Sequence, residues 1–190
     1  IYIWEKDDTI LHENEAAQIL YEMCRNDYMH PSDVKEGKIE LIADCDGLLK
    51  VDKEKLKKVN SFGEMMIASR HGNTPVKAGD KLAGTRIIPL VIKKEKMERA
   101  KEICEDAPIF TLKPFHKKKA AIITTGNEVY HGRIADTFTP VIREKLAEYD
   151  TEVIFHETFD DDNEKITDGC LAAIEAGADL VICTGGMSVD

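Results

Sequence analysis

The chain has 190 residues, 43% hydrophobic and 33% charged, which is enough apolar content for one large core or two small ones and excludes overall disorder. Acidic residues outnumber basic ones 36 to 26, for a net charge of −10. A phosphate-backbone binder draws its affinity from a basic excess, so nucleic acid is not expected as a partner.

The opening Ile1-Tyr2-Ile3-Trp4 reads as the tail of a strand. From Glu13 to Arg25, the residues Ala16, Ala17, Ile19, Leu20, Met23 and Cys24 recur at three- and four-residue steps, which predicts an amphipathic helix. Two β-like runs, 37–43 and 48–51, flank Asp44-Cys45-Asp46-Gly47 and predict a hairpin about an Asp-Gly turn. Asp52 is placed to cap a short helix through Val59.

Residues 63–92 read as β-rich. Strands are expected at 65–68, 76–80 and 86–92, broken by Gly72-Asn73, Gly79-Asp80 and Gly84. A helix follows over 94–105, with Met97, Ala100, Ile103 and Cys104 on one side. Pro108 and Pro114 bracket a short strand or extended linker. The run His116-Lys117-Lys118-Lys119 then marks a domain boundary, giving an α+β N-terminal domain over 1–116 and a second domain over 117–190.

The second domain has the clearer pattern. Residues 120–124 form a short apolar strand, and a helix runs from Phe138 to Tyr149 with Pro140 in its first turn. A second strand covers 151–155. Asp161 and Glu164 make a capping-box-like start to another helix, and Gly177 ends it as a C′ residue. A third strand covers 179–183. Short joins and apolar strands make this an α/β βαβαβ unit with a parallel sheet. Right-handed crossovers place all three post-strand loops at one carboxyl edge, where open α/β sheets bind ligands.

Those loops hold the candidate residues. After the first strand come Thr125, Gly126, Asn127 and Glu128, continuing to Asp136 and Thr137. After the second comes Asp160-Asp161-Asp162, and after the third Thr184-Gly185-Gly186-Met187-Ser188. The glycine pair beside hydroxyls has two readings, a phosphate cradle or simply a tight turn. The carboxylates also have two: Glu128, Asp136 and Asp161 line a pocket able to hold Mg²⁺, or Asp161 caps its helix and Asp136 satisfies the following turn.

The five cysteines show no CxxC spacing and sit mostly in apolar stretches, so they read as buried free thiols in a reducing, cytoplasmic setting. The six histidines are scattered, which gives a zinc site little support. No apolar run approaches the roughly 20 residues that span a bilayer, and no signal peptide is recognised, so no membrane partner is expected.

Four motifs in order make the second domain recognisable: Ile122-Ile-Thr-Thr-Gly126-Asn-Glu128, Ile134-Ala-Asp136-Thr137, the Asp161-Asp162 helix start, and Asp179-Leu-Val-Ile-Cys-Thr-Gly185-Gly186-Met-Ser188. Over residues 117–190 the chain resembles the molybdopterin-binding domain shared by molybdenum-cofactor biosynthesis proteins and gephyrin. The stretch from Gly79 to Ile92 resembles, more faintly, the segment preceding that domain in molybdopterin molybdenumtransferases.

The resemblance implies binding of molybdopterin, a pterin dithiolene phosphate, or of its adenylylated form. In a transferase-like member, molybdate insertion and Mg²⁺ would accompany it. Thr125, Gly126, Thr184, Gly185, Gly186 and Ser188 would form the pterin-phosphate site, with Asn127, Thr137 and Met187 beside them. Asp136 and Glu128 would be the catalytic acids, and Asp161 and Asp136 the metal-facing ones. This chain has Phe138 where the family carries Asn after the Asp136 equivalent. A related domain in competence- and damage-inducible proteins implies a second reading, an ADP-ribose pyrophosphatase-like hydrolase. A third is a non-catalytic cofactor-binding module, and a fragment that serves only as an assembly platform would dimerise through residues 63–92; a homo-oligomer and molybdoenzymes are the partners expected. The chain starts at Ile1 and stops at Asp190, soon after the glycine pair, so an incomplete domain with weak activity of its own is expected.

Overall fold

The computed structural model describes residues 7–185. Two compact units divide the chain, Ile1–Phe115 and His116–Asp190.

In the first unit, β1 (Ile10–His12) leads into α1 (Glu13–Cys24), followed by β2 (Met29–Pro31), β3 (Lys38–Ala43), β4 (Gly47–Val51) and α2 (Lys53–Asn60). Then come β5 (Met65–Ser69), β6 (Thr74–Val76), β7 (Lys81–Ile87), β8 (Val91–Lys93), α3 (Lys94–Glu102) and β9 (Phe110–Pro114). The periodic helix is present as α1, and its apolar stripe buries Ala16, Ala17, Leu20, Met23 and Cys24. Its start is a capping box in which His12 stands at the cap and the Glu15 carboxylate accepts from the His12 N–H at 3.0 Å. Asp52 caps α2 by accepting from the Lys55 N–H at 2.9 Å. Three antiparallel sheets, ordered β2-β3-β7-β5, β6-β4-β9 and β1-β8, share one core built on Leu20, Ile39, Leu41, Leu49, Leu82 and Phe110.

The expected hairpin over 37–51 does not form. Strand β3 pairs with β2 and β7, whereas β4 pairs with β6 and β9. A two-residue Asp-Gly hairpin turn needs positive φ at its centre, and neither Asp46 nor Gly47 has it. Gly47 instead lies against the β9 backbone, where a Cβ would come within 2.5 Å of the Lys113 carbonyl. The linker is tied outward, with the Asp44 N–H on the Tyr28 carbonyl at 2.9 Å and the Asp46 carboxylate on the Ala78 N–H at 2.8 Å.

The strand limits in 63–92 also shift. β7 runs through Gly84 rather than stopping there, because an inner strand supplies partners on both sides: Glu40 and Ala68 face Gly84. The break falls at Ile88-Pro89, where proline offers no N–H to a ladder. The stretch 77–80 is a turn closed by the Asp80 N–H on the Lys77 carbonyl, not strand. The stretch between Pro108 and Pro114 resolves as strand from Phe110, where β9 begins, and pairs along β4.

In the second unit, β10 (Lys119–Thr125), α4 (Asn127–Tyr130), α5 (Phe138–Ala147), β11 (Glu152–Phe159), α6 (Asn163–Glu175) and β12 (Leu180–Gly185) build the expected parallel sheet, ordered β11-β10-β12. Ala120–Ile123 of the central strand are completely buried. Thr124 meets Thr139 of α5, while Cys183, level with Ile123, meets Cys170 of α6. Successive strand residues face opposite ways, so α5 and α6 cover opposite faces of the sheet. At the far end of α6 the N–H groups of Gly177 and Ala178 reach back to the carbonyls of Ile174 and Ala173, the hydrogen-bond pair that closes a helix through a C′ glycine.

One cap moves. Asp162, not Asp161, is the N-cap of α6, and its carboxylate accepts from the Glu164 N–H at 2.9 Å and the Lys165 N–H at 3.3 Å. β11 continues to Phe159, beyond the expected end at 155, which pushes the helix start one residue later.

Candidate functional site

All three parallel strands end level. Thr125 lies opposite Phe159 on one side and Gly185 on the other, so the three loops rise from one edge. With β10 in the centre, the chain departs first to β11 and then to β12, a topological switch point of the kind that opens a crevice.

The loop after β10 is fastened by its own short helix α4, which the sequence pattern does not reveal because four residues are too few for periodicity. The Gly126 N–H donates to the Phe159 carbonyl at 3.2 Å. The Asn127 side-chain amide donates to the Asp161 carboxylate at 2.8 Å, joining the first loop to the second. The Thr125 hydroxyl donates to the Thr184 carbonyl at 3.3 Å, joining the first strand end to the third. Gly185 permits that approach, since a Cβ there would collide with the Thr125 hydroxyl.

A cleft of about 560 Å³ opens at this edge. Thr125, Asp161, Thr184 and Gly185 line it, together with Asn163 and Ile166 from the start of α6 and Cys183 from β12. The Thr184 hydroxyl oxygen is buried and has no hydrogen-bond partner among the described residues, and the same holds for one carboxylate oxygen of Asp160. The other Asp160 oxygen pairs with Lys165 at 2.7 Å, and that ammonium holds the Asp160 carboxyl below its ordinary range.

Asp136 is held elsewhere, on the α5 face. One of its oxygens accepts from the N–H groups of Phe138 and Thr139, both at 3.0 Å, so it serves the first turn of α5 as a cap. The other accepts from the hydroxyls of Thr139 and Thr124, at 2.5 and 3.2 Å. His156 of β11 completes the cluster, with Nε2 3.3 Å from each hydroxyl and 3.9 Å from the carboxylate. Burial alone would raise the Asp136 pKa, but the bonds from Thr139, Phe138 and Thr124 together outweigh it and hold the carboxyl below its usual value. His156 and Thr139 escape the sequence reading; the one signal for His156 is a β11 strand long enough to place it level with Ile122.

The expected site residues therefore separate. Thr125, Asp161, Thr184 and Gly185 meet at the cleft, and Asn127 reaches it through Asp161. Gly126 anchors the loop behind them. Glu128 is exposed on α4 and Thr137 is exposed at the head of α5, away from the cleft lining. Gly186, Met187 and Ser188 lie outside the described residues. Among the described residues, no group of three or more His, Cys, Asp or Glu side chains is arranged to hold a metal ion. None of the described helices is long and apolar enough to cross a membrane.

Residues 121–190 match the family described as "Probable molybdopterin binding domain". The motif order read from the sequence and this match coincide on the same segment. A protein of Bacillus cereus (strain B4264), named as competence-damage inducible, is 38% identical over 68 residues, covering 36% of this chain and 16% of that protein. One of the same name from Bacillus velezensis is 36% identical over 70 residues, covering 37% of this chain and 17% of that protein. The chain thus spans about one sixth of the length of these curated relatives. Two crystal structures are similar in part. The tungsten cofactor synthesizing protein MoaB from Pyrococcus furiosus is 28% identical, covers 39% of this chain and 46% of that one, and gives a TM-score of 0.36. The molybdopterin biosynthesis MoeA protein from Pyrococcus horikoshii is 12% identical, covers 94% of this chain and 67% of that one, and gives a TM-score of 0.32.

Proposed function

We propose that the carboxyl-edge cleft of the second unit binds molybdopterin through its terminal phosphate, in molybdenum-cofactor biosynthesis or handling. The Thr184 hydroxyl, buried and without a partner among the described residues, carries this reading: leaving such a group unsatisfied costs about 1–3 kcal/mol, and a phosphate oxygen at the cleft would accept from it. The family match over the same residues supports the choice of ligand. Thr125 and Thr184 would hold the phosphate end, and Asn127 would keep the Asp161 side of the cleft in place.

Molybdate insertion is the finer form of this proposal. The cofactor would supply the dithiolene that receives the metal, and Asp161, which lines the cleft, would be the carboxylate that faces Mg²⁺ or molybdate. Asp136, ionised and occupied by four donors, would serve as a frame for α5 rather than as a proton donor at neutral pH. Calorimetric titration of the chain with molybdopterin tests the reading. Saturable binding that weakens at least tenfold in Thr184→Val supports it, and absence of heat at millimolar cofactor overturns it.

The second reading that the resemblance implies is a nucleotide hydrolase acting on ADP-ribose, and two relatives carry the name competence-damage inducible. Turnover of ADP-ribose with Mg²⁺ by this chain would select it over cofactor binding.

A further inference from the structure

One pair of groups beside the cleft has no part in ligand binding as described above. Cys170 of α6 and Cys183 of β12 bring their sulfurs to 3.8 Å from each other. Cys183 is exposed and lines the cleft next to Thr184, while Cys170 is half-buried behind it. Cys24, by contrast, is wholly buried in the first unit, beyond the reach of a solution oxidant. No third metal-ligating side chain joins the two sulfurs among the described residues, so a metal site is not what the pair offers.

We propose that Cys170 and Cys183 are a thiol–disulfide exchange site, which accepts oxidising equivalents from low-molecular-weight disulfides and cross-links α6 to β12 at the wall of the cleft. The steps balance without any further reagent. The exposed Cys183 thiolate attacks one sulfur of the small disulfide, that S–S bond breaks, and one small thiolate leaves. The Cys170 thiolate then attacks the Cys183 sulfur of the mixed disulfide and expels the second small thiolate. The protein's two thiol protons end on the two released thiols, the protein dithiol is oxidised and the small disulfide is reduced.

The sulfurs must close from 3.8 Å to about 2.05 Å for the bond to form. Partial desolvation of its sulfur against the α6 side, together with the neighbouring Cys170, pushes the thiol of the otherwise exposed Cys183 up from its ordinary value, so exchange accelerates as the solution is made alkaline. The bond would fix the end of β12 to the helix that carries Asn163 and Ile166, and so pin two walls of the cleft together. It holds whichever ligand the cleft takes.

The test uses the full chain and oxidised glutathione. No Lys or Arg lies between Ile166 and Asp190, so tryptic digestion leaves both cysteines on one peptide and further cleavage after Glu175 separates them. The expected result is that the two pieces stay joined without reductant, with a loss of about 2 Da relative to the reduced pair, and part when reduced. Cys183→Ser should abolish the joined species and leave Cys170 free or glutathionylated. Pieces that separate without reductant, or a joined species pairing either cysteine with Cys45 or Cys104, would overturn the proposal. The peptide map of the unaltered chain decides this even if the variant does not fold.

Discussion

The Asn127 amide and the Asp161 carboxylate, 2.8 Å apart, clip the loop after β10 to the loop after β11. Asp161 is free to do this because Asp162 takes over the helix cap.

Replacing the two neighbouring aspartates should therefore have different consequences. Asp162→Ala should lower the stability of the second unit by about 1 kcal/mol, the usual worth of an N-cap. Asp161→Ala should cost less than half of that, yet weaken ligand binding more. Urea unfolding and calorimetry on both variants check the contrast, and equal stability losses would return the cap to Asp161.

Asp136 makes a pH prediction. Its folded pKa is depressed, so its stabilisation is fully present above the unfolded value of about 3.9 and is lost as pH falls through the lower folded value. Unfolding of the second unit should become easier below about pH 4. Asp136→Ala should cost about 1–2 kcal/mol at neutral pH, as loss of a cap does, and should flatten that acid limb. A variant that keeps the full acid dependence would refute the assignment.

Gly185 and Thr125 should be coupled. Gly185→Ala places a Cβ against the Thr125 hydroxyl and should destabilise by about 1–3 kcal/mol, in the range of overpacking. In a Thr125→Ala background the same change should cost clearly less. A double-mutant cycle by chemical denaturation measures the difference, and strict additivity would show that the two do not touch.

Much of the fold can be read from residue patterns, wherever one element's own periodicity decides. The stripe from Ala16 to Cys24, the cap at Asp52 and the apolar run 120–124 are of this kind. The failures share a cause in long-range pairing. Asp46-Gly47 looks like a hairpin turn, but Lys113, far along the chain, and Ala78 set what that segment does. At the site, sequence order suggests that Asp136 and Asp161 converge because both follow strands at one edge. Asp136 is held by Thr124 on the α5 face and Asp161 by Asn127 at the cleft, and only these side-chain bonds show which carboxylate goes where.

The alternation of Thr124 and Thr125 acts as an error check on folding. Two adjacent hydroxyls at the end of β10 each have a single correct correspondent: Thr124 with the Asp136–Thr139 cluster, Thr125 with the Thr184 carbonyl. A strand that slipped by one residue would swap the two faces and take the Thr124 hydroxyl away from Asp136 and Thr139. The native alignment is thus specified by polar matching at the strand's end as well as by the apolar residues before it, and the misaligned sheet could not form the cleft's rim.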